Sequence, residues 1–321
     1  MSFRLVILPP QNDRTRALAL QIASAVPEVT VVLAQTEEDA KREIATADAA
    51  YGTLPPDILR EAKRLRWLQA PQAAPPAGYY YPELIAHPVT VTNLRGIFAD
   101  RIPAHIMAYV LAFARGLHVY IHRQLERRWD RNDTPPVVHL PGATVLIVGL
   151  GSIGAETARL CAAFGMRVTG VDPRLTETPE GVSELHPPDQ LDRLLPLADF
   201  VILTMPHTPK TEGLFHSERF HLMKRSAFFI NIGRGMTTKL EDLNRTLREG
   251  LIAGAGLDVY EIEPLPEDHP LWTAPNTLLT PHVAASGPSL EEARNGIIVE
   301  NARRFATRQP LLNVVDKAEW F

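Results

Sequence analysis

Thr144-Val-Leu-Ile-Val-Gly149-Leu150-Gly151-Ser152-Ile153-Gly154 is the stretch on which the reading of this chain turns. A β-branched apolar run leads straight into Gly-x-Gly-x-x-Gly, and a helical pattern, Ala155–Phe164, begins at once. Each glycine has its own task in such a unit. Gly149 permits the tight turn, Gly151 lets the backbone approach a pyrophosphate, and Gly154 lets the helix pack on the strand. The helix N-terminus offers unpaired N–H groups and a partial positive charge, which suit phosphate oxygens. Glycines alone would be weak evidence, but the next strand, Arg167–Val171, ends at Asp172, 18 residues after Gly154. An acid there accepts hydrogen bonds from ribose hydroxyls and repels a 2′-phosphate, by about 4 kcal/mol per charge pair at 4 Å and an effective dielectric of 20. The site reads as one for NAD, with NADP disfavoured and Arg174 softening that preference.

Outward from this motif the chain alternates strands and helices. Before it, Phe3–Leu8, Val29–Leu33, Ala49–Gly52, Trp67–Ala70 and Val89–Thr92 read as strands, with helices such as Thr15–Ala25 and Glu37–Thr46 between them. After it, Asp199–Thr204, Ala227–Asn231, Ala253–Asp258 and Thr277–Thr280 continue the strand series, and Leu290–Ala306 reads as a closing helix. Such alternation predicts parallel sheets covered on both faces, an α/β fold. Pro103 stands in the first turn of a long helical pattern, Ile102–His118, where a missing N–H costs little. The 321 residues suit two domains at about 100–200 residues each.

Three strand ends carry candidate chemistry. Phe228-Phe229-Ile230-Asn231-Ile232-Gly233-Arg234-Gly235 delivers an arginine between two glycines, suited to a planar carboxylate through a bidentate pair. Gly254-Ala-Gly256-Leu257-Asp258-Val259-Tyr260-Glu261-Ile262-Glu263-Pro264 supplies acids, and Leu278-Leu279-Thr280-Pro281-His282 a histidine. Taken singly these are ordinary loop residues. Together, at the strand ends where open α/β sheets bind ligands, they point to a site.

In chain order, Gly149–Gly154, Ala198-Asp199 leading to Pro206-His207-Thr208-Pro209-Lys210-Thr211-Glu212-Gly213, Asn231–Gly235, Gly256–Pro264 and Pro281-His282 closely resemble the D-isomer-specific 2-hydroxyacid dehydrogenase family, glyoxylate/hydroxypyruvate reductases and phosphoglycerate dehydrogenases among its members. The resemblance covers nearly the whole chain, most strongly Leu140–His282. It implies a Rossmann dinucleotide-binding domain, 99–285, inserted into a smaller flavodoxin-like domain, 1–98 and 286–321, with a cleft between them. It implies that Arg234 binds the substrate carboxylate and carbonyl, that His282 is the acid/base, and that Glu263, rather than Glu261, pairs with it. The cofactor set it implies is Gly149, Gly151, Ser152, Ile153, Gly154, Asp172, Pro173, Arg174, Met205, Pro206, His207, Thr211, Ile232 and Asp258, with Arg234 and His282. Asp258 would meet the nicotinamide carboxamide. Substrate would meet Ala73, Ala74, Arg234 and His282, and no metal is called for. The chemistry agrees: reducing a 2-keto acid needs a hydride on carbon and a proton on oxygen, and an imidazole exchanges protons near neutral pH.

The sequence departs from the family in three places. Gln69-Ala70-Pro71-Gln72-Ala73-Ala74-Pro75-Pro76 has Ala74 where relatives have glycine, and Pro75 has no N–H to give. Tyr79, Tyr80 and Tyr81 follow, as packing residues or as part of a specificity wall. Ala104 and Lys239-Leu240 stand where acids are common. Two other readings stay open: a non-catalytic NAD-sensing corepressor-like protein on the same fold, and a formate dehydrogenase-like enzyme.

Bulk properties narrow the class further. A net charge of −4, from 33 Lys+Arg against 37 Asp+Glu, lacks the basic surplus of a nucleic-acid binder. No apolar run reaches transmembrane length. The single cysteine, Cys161, excludes an intramolecular disulfide and fits a reducing compartment, so the expectation is a cytoplasmic protein with no membrane partner. The resemblance adds a homodimer, with contacts in the Ile102–Asp133 region, whose Arg123, Arg127, Arg128 and Arg131 otherwise read as a solvated helix face.

Overall fold

The computed structural model describes residues 2–76 and 78–320; residues 1 and 321, the outer ends of the expected smaller domain, lie outside the described residues. The chain divides into two compact units, Met1–Ile97 with Gly287–Phe321, and Phe98–Ser286. In the first, five parallel strands, β1 (Phe3–Ile7), β2 (Val29–Leu33), β3 (Ala49–Tyr51), β4 (Trp67–Gln69) and β5 (Thr90–Thr92), lie in the order β2-β1-β3-β4-β5. This is the flavodoxin-like order. Apolar side chains leave the two faces of this sheet alternately, Val6 and Leu68 into one core, Leu5, Ile7 and Trp67 into the other.

The second unit holds seven parallel strands: β6 (Thr144–Val148), β7 (Arg167–Val171), β8 (Glu184–His186), β9 (Phe200–Leu203), β10 (Phe228–Asn231), β11 (Gly254–Leu257) and β12 (Thr277–Leu279). Their order is β12-β11-β10-β9-β6-β7-β8. Read from β8 this is the dinucleotide-binding order, with the direction of winding reversing between β6 and β9. β10 shows why the sheet is buried on both faces. Phe228 stacks on Phe113 at 4.6 Å on one side, and Phe229 meets Phe215 at 5.1 Å and Phe220 at 5.2 Å on the other. Each such ring contributes about 1.5–3 kcal/mol through burial.

Three sequence expectations need correction. The single helix over Ile102–His118 is two, Ile102–Ala114 and Leu117–Leu125, bent by 73°. Gly116 makes the bend at φ 66°, and a Cβ there would lie 2.4 Å from the Pro135 ring. Arg123 is not part of a solvated face: it is 9% exposed and pairs with Asp133 at 2.7 Å. β8 was not anticipated, because its three residues hold one apolar side chain and sit half-buried at the sheet edge. Among the described residues no single helix is long and apolar enough to cross a membrane.

Candidate active site

The glycine loop fits a dinucleotide. At Gly149, φ is 95° and a Cβ would meet the Met205 backbone at 2.7 Å. At Gly154 a Cβ would lie 2.0 Å from the Gly149 carbonyl oxygen, so only glycine lets the Ser152–Ala163 helix sit this close. Gly151 faces open space, with nothing within 4 Å of a Cβ. Gly151 is also the N-cap and makes no side-chain cap bond, so the first helical turn, with Ser152 and Ile153, keeps N–H groups for an anion. Met205 is buried and its backbone lies against both Gly149 and Gly233. The Thr211 hydroxyl donates to the Pro206 carbonyl at 2.8 Å and accepts from the Thr208 N–H at 2.8 Å, which braces the loop carrying Pro206 and His207. The His207 ring lies 3.3 Å from Glu212, and Ile232 is buried at the end of β10.

Asp172 stands at the end of β7, 6% exposed. Its carboxylate accepts from the Leu150 N–H and the Arg174 N–H, both at 2.9 Å, while Pro173 and Arg174 are exposed. Two backbone donors thus fix the carboxylate at the end of β7, beside the glycine loop.

Arg234, Glu263 and His282 follow the C-terminal ends of β10, β11 and β12, three neighbours in the sheet. The register of parallel strands about 4.8 Å apart makes this convergence possible. His282 Nδ1 donates to Glu263 Oε2 at 2.7 Å, and Glu263 Oε1 accepts the Tyr260 N–H at 3.0 Å. Arg234 is partly buried; burial pushes its guanidinium below the ordinary range, and the Glu263 carboxylate opposes that shift. Arg234 Nη1 donates to the Gly233 carbonyl at 2.7 Å. Glu261 is used elsewhere: its carboxylate accepts the Leu240 N–H at 2.7 Å and so caps the Leu240–Arg248 helix, where Lys239 makes no side-chain cap.

Several bracing residues escaped the sequence reading. Asn231, fully buried, donates to the Arg234 carbonyl at 3.2 Å and accepts the Gly233 N–H at 3.0 Å, latching the arginine turn. Gly235 lies against the Tyr260 carbonyl, where a Cβ would come to 1.8 Å. Asp258, expected at the carboxamide, is 1% exposed, and its carboxylate accepts from Thr280 Oγ1 at 2.6 Å and the N–H groups of Val283 and Ala284 at 2.8 and 2.9 Å. It braces the turn at His282, whose φ of 54° is rare outside glycine.

Ala73 and Ala74 belong to the other unit, in the loop after β4. Asn93 Nδ2 donates to the Ala73 carbonyl at 2.8 Å and Arg294 Nη2 to the Pro71 carbonyl at 2.7 Å, so this loop is pinned at two points. Tyr79 and Tyr81 are packing residues, their hydroxyls bonded to the Gly52 and Leu54 carbonyls.

The pattern of the D-isomer specific 2-hydroxyacid dehydrogenase NAD binding domain matches residues 107–284. The chain belongs to this family. It is 30% identical over 307 residues to D-3-phosphoglycerate dehydrogenase of Methanocaldococcus jannaschii, covering 93% of this chain and 57% of that one. It is 34% identical over 208 residues to glyoxylate reductase of Thermofilum pendens, covering 64% and 61%. The chain thus spans less than two thirds of the length of either relative. A crystal structure of a D-isomer specific 2-hydroxyacid dehydrogenase from Xanthobacter autotrophicus Py2, in complex with NADPH and MES, matches with a TM-score of 0.86 and 29% identity over 100% of both chains. That relative holds NADPH, so the expectation that disfavoured NADP is withdrawn.

Proposed function

We propose that this chain interconverts a small 2-keto acid and its D-2-hydroxy acid with NAD(H) or NADP(H). The observation that carries this reading is the His282–Glu263 pair at 2.7 Å beside Arg234, on the ends of three adjacent strands. When bound, the reduced dinucleotide supplies a hydride to the keto carbon. Arg234 holds the substrate carboxylate in its planar fork and offsets charge growing on the keto oxygen. Glu263 takes the proton side of His282 Nδ1, which leaves Nε2 to deliver a proton to that oxygen. Oxidation runs the same transfers backward.

Absorbance at 340 nm with glyoxylate, hydroxypyruvate, pyruvate and bulkier 2-keto acids, each with NADH and with NADPH, tests this. Turnover of at least one is expected, and the ratio of the two dinucleotides sets the preference. Tight dinucleotide binding with no turnover of any keto acid would replace the enzyme by a non-catalytic sensor.

We place the protein in the cytoplasm on its single, buried thiol, and as a homodimer on the Leu117–Leu125 helix. Leu117, Ile121 and Leu125 recur four residues apart and are exposed, Leu125 by 78%, with Trp129 beyond them at 90%. An apolar stripe of this kind marks a protein contact. Light scattering is expected to give twice the chain mass, and Ile121→Asp with Leu125→Asp a monomer; a wild-type monomer would refute the dimer.

A further inference from the structure

Beneath the His282 turn lies a polar cluster drawn from distant parts of the chain. Thr280 Oγ1 lies 2.6 Å from Asp258 Oδ1, 2.6 Å from the Tyr109 hydroxyl and 3.1 Å from His105 Nε2. Tyr109 and His105 stand one turn apart on the Ile102–Ala114 helix, more than 170 residues earlier. Gly256 makes this approach possible, since a Cβ on β11 would meet the Tyr109 ring at 2.9 Å.

Counting protons fixes the direction of the bond between Thr280 and Asp258. Thr280 has one hydroxyl proton and two lone pairs, and a carboxylate can only accept. The proton therefore goes to Asp258. Thr280 Oγ1 is then left to accept, from His105 Nε2 and from the Tyr109 hydroxyl, whose one proton is shared with the Leu257 carbonyl at 3.0 Å. Burial holds the Tyr109 phenol well above its ordinary range, so it stays a donor. Tyr260 closes the cluster by donating to the Thr280 and Leu257 carbonyls, at 3.0 and 3.1 Å. Beyond Asp258 the same carboxylate holds the N–H groups of Val283 and Ala284, the two residues after His282.

We propose that Thr280, held by Tyr109 and His105, is a positioning residue for the acid/base: it aims the Asp258 carboxylate that fixes the left-handed turn at His282. The proposal rests on His282 acting as in the function above. A side chain in a sparsely populated backbone conformation persists only where its surroundings over-determine it, and here the Asp258 carboxylate does so together with the His282 N–H bond to the Thr280 carbonyl at 3.0 Å and the ring's bond to Glu263. Without the Thr280 hydroxyl, Asp258 loses its side-chain donor, and the ring of His282 loses its fixed approach to Glu263.

The test compares Thr280→Val, which keeps the shape and removes the hydroxyl, with Thr280→Ser, which keeps the hydroxyl. In the full-length protein, at a temperature where melting curves show each variant folded, Thr280→Val is expected to lower kcat about 10- to 100-fold. KM for the dinucleotide should stay within about twofold, and Thr280→Ser should recover most of kcat. If Thr280→Val lowered the melting temperature alone, with kcat per folded molecule unchanged, Thr280 would be structural only and the proposal would be overturned. The second readout needs no substrate. With ¹³C-labelled histidine, the His282 ring signals, assigned by their loss in His282→Asn, should move in Thr280→Val and return in Thr280→Ser. Unmoved signals would overturn the proposal even in an active enzyme, whereas moved signals in a protein with no turnover would support the positioning and reject only the function. Tyr109→Phe, which removes one of the two donors, should shift the same signals less, and it serves if Thr280→Val does not fold.

Discussion

His282→Ala is expected to lower kcat by about 10²- to 10⁴-fold, with dinucleotide affinity nearly unchanged, because proton transfer is removed and the glycine loop is untouched. Alanine brings a second effect that must be separated from the first. His282 holds φ at 54°, and the left-handed region costs a residue with a Cβ about 1–2 kcal/mol unless a short polar side chain satisfies itself locally. His282→Asn tolerates that backbone and cannot exchange a proton near neutral pH. Both variants should therefore lose the same activity, while Asn keeps the higher melting temperature. Initial rates and thermal melts on the two proteins check this. Near-wild-type turnover in His282→Asn would remove His282 from the reaction.

The parts of the fold that rest on local pattern were legible in the sequence. β6 is a run of β-branched residues before a glycine turn, and β10 a run of aromatic and branched residues, so both declare themselves. The choice between two acids came from the family resemblance, in which the acid directly precedes the proline; the structure puts Glu263 on His282 and Glu261 on a helix end. What was not legible depends on residues far apart in the chain. The bend at Gly116 follows from where Pro135 packs, and helical periodicity alone runs through it. His105 and Tyr109 look like ordinary positions on an apolar helix, and only the packing of that helix on β11 brings them to Thr280. The cofactor preference is not legible either. Asp172 has a local partner in the Arg174 N–H, but its second, the Leu150 N–H, exists only once β7 and the glycine loop are side by side. Sequence patterns set the strands, and the strand ends then decide which polar atoms remain for ligand.

Arg234→Gln is expected to lower kcat/KM by about 10³-fold or more, with KM for the keto acid rising and kcat falling together. Removing one partner of a desolvated, hydrogen-bonded charge pair costs about 2–5 kcal/mol, and losing a donor to a developing oxyanion costs about 10²–10³ in kcat. Arg234→Lys should rescue little. The guanidinium is held by its bond to the Gly233 carbonyl at 2.7 Å, and its main chain by Asn231, so a carboxylate meets a fork already in place. An ammonium on a flexible stem offers neither the plane nor the two parallel donors. Stability should move far less. Burial disfavours the guanidinium's charge in the folded protein while the Glu263 carboxylate favours it, so the two effects of removing that charge oppose one another. The melting temperature of Arg234→Gln should therefore stay near the wild-type value while activity collapses. That contrast is what separates a binding group from a structural one: a residue kept for the fold would lose stability and activity together. Steady-state kinetics and melting curves on the two variants decide it, and an Arg234→Lys enzyme with wild-type KM and kcat would show that no bidentate carboxylate pair forms there.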